Sequence, residues 1–136
     1  MIKRKHFSTF LLSAAVSVAI LATPAMAGKK DVKALKKATK TCQKVSPGDV
    51  EGCALVFSRR HGNCLGCHAI KGGAQAGNIG PMLIAMKERF PDKAVLRAQI
   101  WDATVKNPNS MMPPFGKHKA LSEGQIDKIT NYVHSL

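Results

Sequence analysis

Aromatic and acidic side chains are both scarce in this sequence. One Trp, one Tyr and five Phe make up 5% of 136 residues, too few for the stacked aromatic platforms of an RNA reader. Only eight Asp and Glu stand against 21 Lys and Arg, which leaves a formal net charge of +13. No run of alternating apolar residues is long enough to indicate a sheet, and no repeat is visible. Charged residues at 21% are too few, and apolar residues at 45% too many, for a disordered polybasic chain. A chain of this length buries roughly two-thirds of its unfolded surface, enough for one core and not two.

The first residues supply a charged stretch with Lys3, Arg4 and Lys5, an apolar run from Phe10 to Leu21, and Ala25-Met26-Ala27. These are the three parts of a cleavable signal peptide. A membrane anchor needs about 20 consecutive apolar residues, and Ser13, Ser17 and Thr23 interrupt a shorter run. We therefore expect a signal peptide over 1–27, export to the periplasm by the general secretion route, and no membrane anchor after processing. A Lys-rich extension over 28–48 and a main domain over 49–136 follow.

The charge divides along the same lines. Lys3, Arg4 and Lys5 account for +3, and residues 28–44, with seven lysines and Asp31, for +6. The remaining eleven basic and seven acidic residues leave the main domain only mildly basic at +4. Phosphate binding is open to any basic chain, but this distribution points away from a nucleic-acid partner and toward one Lys-rich helix. An acidic protein partner suits such a helix.

The spacing of apolar residues predicts an all-α chain. Asp31 is expected to cap a thin helix with Val32, Leu35 and Cys42. Pro47-Gly48-Asp49 opens a second, with Val50, Cys53, Ala54 and Phe57 on one face and Gly62 as its stop, leading directly into Cys64. Residues 71–80, with four glycines, read as loop. Pro81 is expected to begin a short helix with Leu83, Met86 and Phe90 on one face. Another helix runs to about Lys106, and Asn107-Pro108 ends it. The proline-rich stretch 107–117 is a loop carrying Met111 and Met112. Ser122 and Gln125 form a capping box with Leu121 and Ile126 as its hydrophobic staple, followed by a stripe of Ile126, Ile129, Val133 and Leu136.

Cys64-Leu65-Gly66-Cys67-His68 carries the chemistry. Cys-x-x-Cys-His is the attachment signature of haem c: two thiols three residues apart each form a thioether with a haem vinyl group, and the next residue places an imidazole under the iron. A thioredoxin-like pair would need a βαβ setting. A zinc site from Cys42, Cys53, Cys64 and Cys67 has only one typical spacing, and a plain Cys64–Cys67 disulfide leaves the adjacent His68 unexplained. One covalently bound haem c is the expected cofactor.

A sixth iron ligand favours electron transfer, an open site gas or peroxide chemistry. His61 is too close to the motif to reach the opposite haem face, His118 lies in a charged loop, and His134 is near the chain end. Met82 and Met86 fall on an expected helix, where methionine usually fills core. Met112 in its stiff loop is the preferred ligand, with Met111 as the alternative. Cys42 and Cys53 are a disulfide candidate in an oxidising compartment, free buried thiols being the other reading. No nucleophile and base are paired, so no catalytic residue is assigned.

From Gly52 onward the sequence resembles class I cytochromes c, with Phe57, Cys64-x-x-Cys67-His68, Gly80-Pro81-x-Leu83, a methionine followed by proline and a C-terminal amphipathic helix. The resemblance implies two crossing terminal helices, a proximal His68 whose other N–H meets the Pro81 carbonyl, and here an extra Lys-rich N-terminal helix. Gly62-Asn63-Cys64, Gly77-Asn78-Ile79-Gly80-Pro81, Arg97-Ala98-Gln99-Ile100-Trp101-Asp102 and Asn107-Pro108 through Gly116 look like the SoxX family. These are mono-haem subunits of the thiosulfate-oxidising SoxAX complex, an L-cysteine S-thiosulfotransferase. That likeness, over about residues 50–136, implies a heterodimer with the haem subunit SoxA. Electrons from coupling thiosulfate to the SoxYZ carrier cysteine would then leave to a small cytochrome c acceptor. A free-standing mono-haem shuttle of another respiratory chain and a haem-less basic binding module are the competing expectations.

Overall fold

The computed structural model describes residues 29–136, and the expected signal peptide at 1–27 lies outside them. Five α-helices and two 3-10 turns make an all-α chain, with no strand among the described residues: α1 Lys29–Val45, α2 Val50–Phe57, α3 Met86–Arg89, α4 Lys93–Trp101 and α5 Glu123–His134. The 3-10 turns are Cys64–Gly66 and Ala103–Val105.

Helix α1 packs on α2, α2 on α5, and α4 on α5. The α1 stripe is thin because only Ala38 and Cys42 are buried while its seven lysines are exposed. Asp31 sits in the first turn, 3.9 Å from Arg60, rather than capping the helix. A Cys42–Cys53 disulfide with both residues at 0% exposure joins α1 to α2 inside the core.

Asp49 caps α2 by accepting from the Gly52 amide at 2.9 Å. Helices α2 and α5 meet at Gly52, where an added Cβ would lie 2.8 Å from Tyr132 Cβ and strike the Lys128 carbonyl. Only hydrogen fits between those backbones. Phe57 meets Tyr132 edge-on at 6.4 Å. Ile126, Ile129, Tyr132 and Val133 form the buried stripe of α5, each apolar side chain contributing about 1.5–3 kcal/mol. The capping box is present in full: Ser122 Oγ accepts from Gln125 N, and Gln125 Oε1 accepts from Ser122 N.

Three helix boundaries differ from the sequence expectation. Helix α2 stops at Phe57 rather than at Gly62, because Ser58 turns the chain: its carbonyl accepts from His61 N and Asn63 N, and its buried hydroxyl pairs with His61 Nδ1 at 2.8 Å. Pro81 begins no helix, since Leu83 N donates to Ala69 O and Ala85 has φ 51°, which delays α3 to Met86. The expected helix to Lys106 ends at Trp101, where Asp102 takes an extended conformation and caps the following 3-10 turn. Met82, expected to fill core, is 55% exposed, whereas Met86 is buried.

Candidate haem site

One cavity of about 780 Å3 is bounded by the haem motif, the Gly80-Pro81 segment, α4, the methionine loop and α5. Its volume is that of a cofactor pocket. Leu96, Ile100, Ile129 and Val133 belong both to the core and to this wall, so the core's inner face is the cavity lining. Cys64, Cys67, His68, Pro81, Met111 and Met112 all border the same space. His118 and His134 do not. His61 reaches the rim, with Nδ1 held by Ser58.

Local structure positions each group. The Asn63 backbone takes the left-handed conformation at φ 48°, which Asn tolerates. This starts the tight turn Cys64–Gly66, and the carbonyl of Cys64 then accepts from both Cys67 N at 3.1 Å and His68 N at 2.8 Å. Both thiols are free and half-buried. Burial, with a smaller contribution from Cys67, pushes the Cys64 thiol up to about 12. That is the reverse of what an activated redox thiol requires. The disulfide also removes Cys42 and Cys53 from any four-thiolate zinc set.

His68 Nδ1 lies 2.6 Å from the carbonyl oxygen of Pro81. A carbonyl can only accept, so Nδ1 carries a proton, and in the neutral ring the lone pair is then on Nε2, the tautomer a metal ligand needs. Gly80 makes the approach possible, because a Cβ there would sit 2.6 Å from His68 Nδ1. In the methionine loop, Ser110 Oγ accepts from Met112 N at 3.2 Å; Met112 lines the cavity and is half-buried against the core, while Met111 is 77% exposed.

The sequence pattern did not indicate Arg89, the one residue of the cavity wall with a permanently charged side chain, or Gln99 and Ser110. Arg89 Nη1 donates to the Met82 carbonyl at 2.9 Å, so the cation stays at the rim, where it suits a carboxylate group of a cofactor. Ser110 was legible in principle as a serine turn two residues before methionine. Arg89 and Gln99 follow no local spacing rule. An apolar cavity with paired thiols, a metal-competent imidazole, a half-buried Met112 and one cation at its wall fits haem c.

Residues 50–133 match the family model described as cytochrome c oxidase, cbb3-type, subunit III. The chain belongs to this family of cytochrome c domains. No curated protein matches the sequence. A cytochrome c domain implies haem c and haem-based electron transfer, and proteins carrying it are often periplasmic. No helix among the described residues is long and apolar enough to cross a membrane.

Proposed function

We propose that this cytochrome c domain serves as a periplasmic electron carrier in which Cys64 and Cys67 would hold a single haem covalently and His68 and Met112 would supply the ligands to its iron. The observation that carries the reading is the Cys64/Cys67/His68 cluster at the cavity wall, with the imidazole locked by Pro81 so that Nε2 is free to ligate. The haem supplies one-electron redox chemistry when bound. The chain's own residues would hold it: Cys64 and Cys67 through thioethers, and His68 and Met112 at the iron, in a cavity walled by Leu96, Ile100, Ile129 and Val133. Met112 is preferred to Met111 because it packs on the core.

The finer assignment is the SoxX role: the electron-exit subunit of SoxAX, paired with a SoxA-like haem subunit and passing electrons from thiosulfate coupling on SoxYZ to a small cytochrome c. Its support is the run of four motif segments between Gly62 and Gly116. Export by the signal peptide at 1–27 belongs to the same reading. Copurification of a larger haem subunit from the native periplasm, with thiosulfate-dependent reduction of the haem, tests it. The second reading is a free-standing mono-haem shuttle of another respiratory chain, which the family of cytochrome c domains equally allows. A lone monomer that thiosulfate does not reduce would select that reading.

A further inference from the structure

The methionine loop is closed at its base by two residues at the end of α4. The carbonyl of Trp101, at the end of α4, accepts from Gly116 N at 3.0 Å and Lys117 N at 3.4 Å. Next to it, Asp102 Oδ1 accepts from Thr104 N at 3.0 Å and from the Thr104 hydroxyl, while Oδ2 meets Lys117 Nζ at 3.1 Å. Residues 101–102 are thus tied to 116–117, and residues 103–115, with both loop methionines, form a closed loop between them. Asp102 is 6% exposed, the most buried carboxylate among the described residues. The Thr104 hydroxyl first, then Lys117, hold its carboxyl below the usual carboxylate range, against the opposing effect of desolvation.

The base of the loop is itself anchored. Trp101 packs on Gly116 so closely that a Cβ there would enter the indole ring. The Arg97 guanidinium lies 5.4 Å from the ring centroid and pairs with Asp127 of α5 at 2.6 Å. A buried carboxylate is tolerated only while its donors remain, so opening the loop at Lys117 leaves an under-satisfied charge.

We infer that Asp102 is a positioning residue for the methionine ligand, clasping the ends of loop 103–115 through Thr104 and Lys117 so that Met112 stays at the cavity. The inference rests on ligation by Met112. A thioether is a weak, neutral ligand, and its retention depends on how seldom the loop opens. An external ligand binds only the open form, so its apparent affinity reports the open fraction.

The test is a cyanide titration of the ferric holoprotein. Asp102→Asn is expected to raise apparent cyanide affinity about tenfold, with a weaker long-wavelength methionine-to-iron band. Lys117→Met acts in the same direction by a smaller factor, because Lys117 is 58% exposed. Lys128→Gln, which removes only the exposed pair with Glu51 between α5 and α2, leaves cyanide affinity at the wild-type value. In a Met112→Ala background, where no ligand remains to be held, Asp102→Asn adds nothing. Wild-type affinity in both Asp102→Asn and Lys117→Met, with tighter binding in Met112→Ala, overturns the clasp and leaves the ligand assignment standing. An unchanged band and affinity in Met112→Ala overturn the ligand assignment and the clasp with it. If Asp102→Asn does not fold, Lys117→Met decides alone: wild-type affinity sinks the inference.

Discussion

His68 and Gly80 show how one hydrogen atom controls a ligand. The imidazole reaches the Pro81 carbonyl only because residue 80 has no side chain. Gly80→Ala must push the ring off that carbonyl or move the Gly80-Pro81 segment. We expect a loss of about 1–3 kcal/mol, the usual cost of overpacking, measured by urea unfolding of the holoprotein. Cys64, Cys67, His68, Pro81 and Met112 were singled out by local spacings or family motifs, and the fold brings all five to one cavity. Arg89 and Asp102 were not, since their roles arise from contacts that only the folded chain creates: Arg89 with the Met82 carbonyl, Asp102 with Lys117.

Among the elements, α5 was read most completely, because its start is written in Ser122 and Gln125 and its face in isoleucine and valine. Tyr132 escaped the stripe although it is 2% exposed, its hydroxyl group disguising a core residue. Ser122→Ala is expected to cost about 1 kcal/mol, read as a lower urea midpoint with an unchanged slope. The ends of α2 and α4 were misread for a common reason. Ser58 and Asp102 are both compatible with a helix by composition, yet each side chain bonds to nearby groups and turns the chain. Helix α1 depends on its crosslink, for its buried apolar face is small. The Cys42–Cys53 bridge, spanning a sequence separation of 11, is expected to stabilise by about 2–3 kcal/mol. Urea unfolding of the Cys42→Ser/Cys53→Ser variant against the oxidised protein measures it, and helical circular dichroism shows whether α1 frays first.

Across the whole molecule, charge and chemistry lie on different parts of the chain. The lysines of α1 make no ion pair among the described residues, and of its side chains only Ala38 and Cys42 are buried, Cys42 in the disulfide to α2. Such a face offers charge to a partner. Replacing Lys33, Lys36, Lys37 and Lys40 by Gln is expected to slow association with an acidic redox partner and to flatten its dependence on salt. Unchanged kinetics by stopped flow would leave the face a solubilising one. The all-α class was legible from helical spacing and from the lack of strand patterning. The cavity was not, because its wall joins residues as distant as Cys64, Ile100 and Val133.

All of these roles presuppose one covalently held haem. A pyridine haemochrome assay on the native protein, with haem and chain quantified on the same sample, tests this most directly. One haem c per chain, retained in acidified organic solvent and lost from the Cys64→Ser/Cys67→Ser variant, is the predicted result. A chain without haem, or one whose haem the solvent extracts while Cys64 and Cys67 remain free thiols, would contradict it.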